Sequence, residues 1–205
     1  MNPLPFFTLW SFKKELKLVI FSFLIILSLP VIAVFMLTNA GIDIVSDKLV
    51  TSNPQNNSVE IHNPADGSVI TEVKSQVEWP VHGVVTLEFG ESDWPYQPFH
   101  TGIDIANPYG ISGDPITPFM EGTVTYAGEI FWGFGKHIII DNGNYISSIY
   151  AHLDKIYVYP GEKVKLGQVI GREGQTGWAT GPHLHFQIDV FGIPVDPRTF
   201  IPGNP

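Results

Sequence analysis

The sequence predicts a mostly β protein: a compact antiparallel β-sheet domain over residues 78–205, preceded by one N-terminal transmembrane helix. Three observations predict this class. An uncharged apolar run fills residues 18–37, and short runs rich in Val, Ile, Thr, Tyr and Phe recur between glycine and proline turns after residue 79. No amphipathic helical pattern follows the apolar run. Short strands at such spacing are typical of all-β domains.

The N-terminal residues predict membrane attachment. Twenty residues without a charge, Leu18–Leu37, are long enough at ~1.5 Å per residue to cross the ~30 Å hydrocarbon layer of a bilayer. Lysines precede the run at positions 13, 14 and 17, and lysines collect on the cytoplasmic side. We therefore expect a cytoplasmic segment at 1–17, a single-pass span at 18–38 and an outward-facing domain. The alternative is a signal peptide cleaved near Ala40, where small residues stand.

Residues 39–77 predict a linker. Its centre, Thr51–Ser58, is polar and rich in Asn, with little to bury. Residues 59–77 contain short β-like pieces around the turn signal Asn63–Gly67, and one of them could form an edge strand. The domain itself would begin near residue 78.

Charge and composition restrict the partners. Beyond residue 37 the chain has 8 Lys and Arg against 19 Asp and Glu, so no basic surface is available to neutralise phosphates, and we expect no nucleic-acid partner. The chain has no cysteine, so a metal must be held by His, Asp or Glu. The oligomeric state is not predicted by any feature of the sequence.

The predicted strands follow in order, separated by turns: Val84–Phe89, Ile103–Ala106, Thr123–Ala127, Lys136–Asp141, Tyr145–His152, Lys155–Tyr159, Val169–Glu173 and His183–Val190. In the last of them, polar and apolar residues alternate without a break. This alternation predicts a half-buried strand that presents His183 and His185 on one face.

The segment His100–Asp104 combines an imidazole and a carboxylate. Its β-branched residues and its glycine argue against a helix, and an extended backbone would send Ile103 into the core. On a straight strand the first and last residues would be roughly 13 Å apart at Cα, too far for one metal. We therefore expect a bend at Gly102, whose missing side chain would leave space for an ion.

A third donor would complete the site. One imidazole of the pair His183 and His185 can join His100 and Asp104 in the three-ligand set of a catalytic zinc, while the other faces the substrate. An isolated histidine, His152, offers a further imidazole. A non-ligating histidine suits proton transfer because its ordinary pKa, ~6.5, is near ambient pH.

These motifs together resemble the lysostaphin/LytM family of zinc peptidases, the M23 peptidases. The matching signatures cover about 120 residues in the family's order. They are Trp79-Pro80-Val81-x-Gly83, Phe89-Gly90, His100-Thr101-Gly102-Ile103-Asp104-Ile105, Glu121-Gly122-x-Val124, Ala127-Gly128, Tyr150-Ala151-His152-Leu153 and Gly177-x-x-Thr180-Gly181-Pro182-His183-Leu184-His185-Phe186.

The resemblance implies a β-sheet groove with Zn²⁺ on its floor, bound by His100, Asp104 and His185. It implies that His152 and His183 are the catalytic residues, one as base and acid and the other as oxyanion stabiliser, without deciding which is which. The implied reaction is endopeptidase cleavage of peptidoglycan peptides. The alternative is a catalytically silent family member that binds the wall or activates another hydrolase.

Aromatic residues in Gly- or Pro-rich segments add one open question. Trp94, Tyr96, Trp132 and Trp178 could wall a substrate groove, or they could pack in the core as large aromatics usually do.

Overall fold

The N-terminal part of the chain is a single long helix. The structure is a computed structural model that describes residues 6–56, 58–74, 76–92 and 99–205, apart from the side chains of residues 6–14, 27, 30–40 and 43. Helix α1 runs over Phe6–Leu49. The chain divides into two compact units, Met1–Gly41 and Ile42–Pro205.

Helix α1 contains residues 18–38, the predicted transmembrane span, although the side chains of residues 30–38 lie outside the described ones. Among the residues that the structure describes, none of the helices combines the length and the apolar character that a membrane crossing requires. The predicted span is therefore not supported by the structure.

Residues 50–73 form a small sheet where the sequence predicts a linker. Its strands are β1 (Val50–Asn53), β2 (Ser58–His62) and β3 (Val69–Val73), paired antiparallel in that order. Apolar side chains of this sheet, including the fully buried Ile61, join the core. The polar stretch around residue 55 is the turn between β1 and β2, and the Asn53 side chain accepts the backbone N–H of Gln55 there. The sequence did not predict this hairpin, because its turn is polar and few of its side chains are buried.

The main sheet has eight antiparallel strands. Its order is β11-β7-β8-β9-β13-β5-β4, with β14 also paired to β13. The bounds are β4 Val84–Leu87, β5 Ile103–Ala106, β7 Gly122–Glu129, β8 Lys136–Gly143, β9 Ile146–Ala151, β11 Lys163–Val164, β13 Leu184–Val190 and β14 Ile193–Val195. The third sheet consists of β10 (Lys155–Ile156), β12 (Gly171–Arg172) and β6 (Pro115–Ile116), paired in that order. The predicted antiparallel β class is confirmed.

Strand β13 is the centre of the domain. It pairs with β9 on one side and with β5 and β14 on the other, and six of its seven residues are buried. The Phe186 ring packs 5.6 Å from the rings of both Phe119 and Tyr150. The predicted half-buried character of this strand is wrong, because its polar side chains are covered and hydrogen-bond to one another.

Candidate metal centre

The register of β13 brings the sequence-distant donors together. His185 lies opposite Asp104 of β5 on one side and opposite Ala151 of β9 on the other. His152 directly follows β9, and His100 precedes β5 by three residues. Antiparallel pairing across three strands therefore places residues separated by up to 85 positions around one point.

Three side chains form the core of the site. His100 Nε2 lies 3.0 Å from Asp104 Oδ1, His185 Nδ1 lies 2.9 Å from the same oxygen, and the two imidazole nitrogens are 2.9 Å apart. Both imidazoles are almost fully buried, at 1% and 3% exposure. One donor atom from each residue thus falls within 4.8 Å of the other two, as a shared metal ion requires.

In each of the two imidazoles, the ring nitrogen that faces away from the site (the remote nitrogen) has a hydrogen-bond partner that shows where a proton lies. His100 Nδ1 lies 3.1 Å from the Glu88 carbonyl, and His185 Nε2 lies 3.4 Å from Gln187 Oε1. Carbonyl and amide oxygens only accept, so each remote nitrogen carries a hydrogen. When His100 Nε2 and His185 Nδ1 carry no second hydrogen, as metal binding requires, their lone pairs converge with a carboxylate oxygen. Three acceptors at this spacing fit a cation between them, which satisfies the donor chemistry of Zn²⁺.

The charge of Asp104 strengthens the site. Burial alone would raise the pKa of its carboxyl group, but hydrogen bonds from His100 and His185 outweigh burial and hold the pKa well below its usual range. Asp104 is therefore a carboxylate, the form that binds a cation.

Two further imidazoles, His152 and His183, stand beside the three donors. His183 Nε2 lies 3.5 Å from Asp104 Oδ2, and its Nδ1–H donates to the Gly181 carbonyl at 2.9 Å. The ring of His152 lies 4.7 Å from the ring of His183 and 5.9 Å from that of His185, measured between centroids. Its Nδ1–H donates to the Thr176 carbonyl at 2.8 Å. In both rings, Nδ1 is therefore the nitrogen that is held by a backbone carbonyl.

His152 is held in an unusual backbone conformation. Its φ of 61° is in the left-handed region, which few residues other than glycine adopt. Its N–H donates to the Phe134 carbonyl, and its carbonyl accepts the N–H of Thr176. Burial lowers the pKa of its imidazole to about 4, and His183 and His185 act in the same direction, so the ring is neutral at neutral pH. Backbone strain kept by such contacts is a feature of functional sites.

The bend expected at Gly102 is present, but its physical reason differs from the predicted one. A Cβ atom at Gly102 would collide with the Phe186 carbonyl of β13 and stand 3.0 Å from Cε1 of His185. The missing side chain makes room for the neighbouring strand rather than for an ion. Ile103 and Ile105 are fully buried, as predicted.

One residue that supports the site was missed at the sequence level. Gln187 accepts a hydrogen bond from Thr101 Oγ1 at 2.6 Å and donates to Asp189 Oδ1 at 2.6 Å, which fixes the oxygen that faces His185 Nε2. Gln187 stands two residues after His185 on the same face of β13. The period of two could have indicated it.

The aromatic residues divide between described and undescribed parts of the chain. Trp132 and Trp178 are 52% and 64% exposed, so they do not belong to the core. Trp94 and Tyr96 lie outside the described residues.

Comparison with known proteins identifies the family. The sequence model of peptidase family M23 matches residues 98–197. Glycyl-glycine endopeptidase ALE-1 of Staphylococcus capitis is 36% identical over 112 residues, which are 52% of this chain and 31% of that protein. Murein hydrolase activator NlpD of Salmonella typhimurium is 38% identical over 124 residues, 60% of this chain and 31% of the relative. The chain thus spans about a third of the length of these two relatives.

One solved structure is matched over nearly its whole length. It is a mutant of the catalytic domain of the prophage-encoded M23 protein EnpA from Enterococcus faecalis, with a TM-score of 0.52 and 34% identity. The alignment covers 60% of this chain and 97% of that domain. Sequence and fold therefore agree over nearly a whole family domain, and the chain belongs to peptidase family M23.

Proposed function

We propose that this protein is a zinc-dependent endopeptidase that hydrolyses peptide bonds of peptidoglycan. The observation that carries the proposal is the meeting of three potential metal ligands, His100, Asp104 and His185, beside two further imidazoles whose Nδ1–H groups are held by backbone carbonyls. Structural zinc sites have four protein ligands, whereas catalytic sites have three and leave one position open. The donor set therefore favours catalysis.

His100 Nε2, Asp104 Oδ1 and His185 Nδ1 would hold the ion. When bound, Zn²⁺ supplies Lewis acidity toward a substrate carbonyl and makes water a stronger acid. The protein contributes orientation, because the Glu88 carbonyl and Gln187 fix the two imidazole rings.

His152 and His183 would move the protons of the reaction. Water adds its oxygen to the peptide carbonyl carbon, one imidazole Nε2 takes the proton that water loses, and the same proton passes to the amine as the C–N bond breaks. The second imidazole, once protonated, donates a hydrogen bond to the carbonyl oxygen of the substrate, which gains negative charge as water adds. Burial lowers the pKa of His152, which favours His152 as the base, and His183, with Nε2 3.5 Å from Asp104 Oδ2, would then be the oxyanion stabiliser.

The substrate class rests on the relatives. A glycyl-glycine endopeptidase and a murein hydrolase activator are both similar to this chain; the first name gives a peptide bond as the bond cut, and the second gives murein, the wall polymer. We therefore propose stem-peptide cross-links or peptide bridges as the bonds cut.

Digestion of defined muropeptides by the full-length chain in detergent, with and without a chelator, tests the proposal by mass spectrometry. His185→Ala should lose bound zinc and activity together. His183→Ala should keep the zinc and lose about 10²–10⁴-fold in kcat. His82→Ala, which removes an exposed histidine, is the matched control and should behave as the wild type. Full turnover by His183→Ala would show that its role is misassigned.

A second candidate is an activator of another hydrolase. It is favoured by the 38% identity to a murein hydrolase activator. Zinc-loaded protein that binds purified sacculi, releases no new amines by itself and accelerates a separate wall hydrolase would support this candidate instead of the peptidase.

We also propose that residues 18–38 anchor the protein in the cytoplasmic membrane with the domain outside. The support is the uncharged run with lysines before it. Protease treatment of intact spheroplasts should remove the domain from an anchored chain. A mature protein that begins after Ala40 would indicate cleavage of a signal peptide.

A further inference from the structure

Three exposed aromatic side chains project from two neighbouring loops. Phe131 is 92% exposed, Trp132 is 52% exposed and Trp178 is 64% exposed. The ring centroids of the two tryptophans are 6.2 Å apart and their planes are inclined by 54°. Aromatic rings of this size are usually buried, and a cluster in water marks an interaction surface. We call these three residues the aromatic platform.

The platform is rigid because hydrogen bonds join its two loops. The N–H of Trp178 donates to the Gly133 carbonyl at 2.8 Å, and the N–H of Lys136 donates to Thr176 Oγ1 at 2.9 Å. The same hydroxyl donates to the Leu153 carbonyl at 2.9 Å. The two tryptophans are therefore fixed relative to each other before a ligand arrives, which reduces the entropy lost on binding.

Glycines allow the two loops to approach this closely. A Cβ atom at Gly135 would collide with the backbone of residues 176 and 177, and a Cβ atom at Gly177 would collide with the Gly133 carbonyl. Both glycines also have φ in the left-handed region, at 61° and 71°. The close contact between the two loops therefore requires glycine at both positions.

The platform is connected to the candidate site through His152. The N–H of His152 donates to the carbonyl of Phe134, two residues after Trp132. Its Nδ1–H donates to the carbonyl of Thr176, two residues before Trp178. A ligand seated on the platform is therefore held in a fixed relation to this imidazole.

We propose that the aromatic platform binds sugar rings of the peptidoglycan glycan strand by stacking. This inference rests on the proposed function, because a peptide attached to the wall carries its glycan strand with it. The flat faces of pyranose rings present C–H groups, which pack well on indole rings. The acidic domain would repel an anionic lipid surface, whereas N-acetylglucosamine units carry no charge to be repelled.

Calorimetric titration of the full-length chain in detergent tests the platform, with uncharged N-acetylglucosamine oligomers as the glycan ligand and a chelator present throughout. Wild-type protein should bind saturably. Trp132→Ala and Trp178→Ala should each weaken binding at least about fivefold, as expected for aromatic residues that dominate an interface. Trp132→Phe should retain more affinity than Trp132→Leu, because only the former keeps a flat ring. Tyr159→Ala, which removes another exposed aromatic ring, is the control and should bind as the wild type.

Several results would overturn the inference. They are the absence of glycan binding by the wild type, unchanged affinity in both alanine variants, equal affinity of the Phe and Leu variants, or equal loss in Tyr159→Ala. Binding to anionic vesicles in place of glycan would identify the platform as a membrane contact. Failure of the peptidase proposal would appear separately, as absence of muropeptide cleavage by zinc-loaded wild type, because the glycan titration uses chelated protein.

Discussion

Replacing Gly102 by alanine should separate the two strands that carry the candidate metal donors. The new Cβ atom would collide with the Phe186 carbonyl of β13 and crowd the ring of His185. Gly102 does not have a left-handed φ, so the substitution introduces crowding without backbone strain. Its effect therefore reports the distance between β5 and β13.

The magnitude follows from this contact. Restoring an ordinary separation between the Cβ atom and the carbonyl oxygen requires a shift on the order of 1 Å. Overpacking of this kind costs about 1–3 kcal/mol of folding stability. The same shift moves Asp104 away from His185, the residue opposite it in the sheet, whose Nδ1 lies 2.9 Å from Asp104 Oδ1. Displaced ligand geometry should weaken zinc binding about 10–100-fold.

Urea unfolding and competitive zinc titration would measure the two effects. Gly181→Ala is the matched control, since nothing in the described part of the chain lies within 4 Å of a Cβ atom there. It should retain stability and zinc affinity. If Gly102→Ala bound zinc as tightly as the wild type and unfolded at the same urea concentration, the close approach of β5 and β13 would not be what sets the donor geometry.

Three further substitutions test the interior of the domain. Glu173 is fully buried, and burial, together with the nearby charge of Asp114, raises its pKa from 4.5 to about 7. The folded state therefore holds the extra proton, and stability should fall as pH rises from about 4.5 to about 7. Glu173→Gln should remove this loss, on the order of 1–3 kcal/mol, in urea unfolding compared at pH 5 and pH 8. Gln187→Leu should weaken zinc binding about 10–100-fold in a chelator competition, because the His185 ring loses its hydrogen-bond partner; unchanged affinity would exclude this positioning role. Tyr150→Phe should cost about 1–3 kcal/mol in thermal unfolding, since the buried N–H of Phe119 loses its acceptor at 2.9 Å; an unchanged midpoint would contradict this.

Local sequence pattern was sufficient for most of the main sheet. The apolar and β-branched runs around Ile103, Ile138 and Ile149 lie in strands close to their predicted bounds, and all three side chains are buried. Such runs specify strands because alternate side chains must leave water together. The same rule was misleading in β13. Its polar residues His185 and Gln187 are buried, and Gln187 hydrogen-bonds to Thr101 before β5 and to Asp189 on its own strand.

Local pattern suggested a possible edge strand within residues 59–77, where β2 and β3 lie, but not the three-stranded sheet at residues 50–73. Its hairpin turn is polar, and the stabilising burial of Val59 and Ile61 depends on a core built by residues far along the chain. The sequence pattern of short strands with few apolar residues is the same as that of a linker, because their stability depends on burial against that core.

The sequence by itself determined the kinds of donors available, four histidines and a carboxylate without any thiol, and most of the strands that carry them. Apart from the family resemblance, the strand pattern did not determine which member of the pair His183 and His185 meets Asp104, because residues two apart on a strand have the same face and the same chemistry. The tertiary structure decided this through the pairing register, which sets His185 directly opposite Asp104. Register arises from burial and turn geometry over the whole sheet, so it is fixed only when the strands pack together.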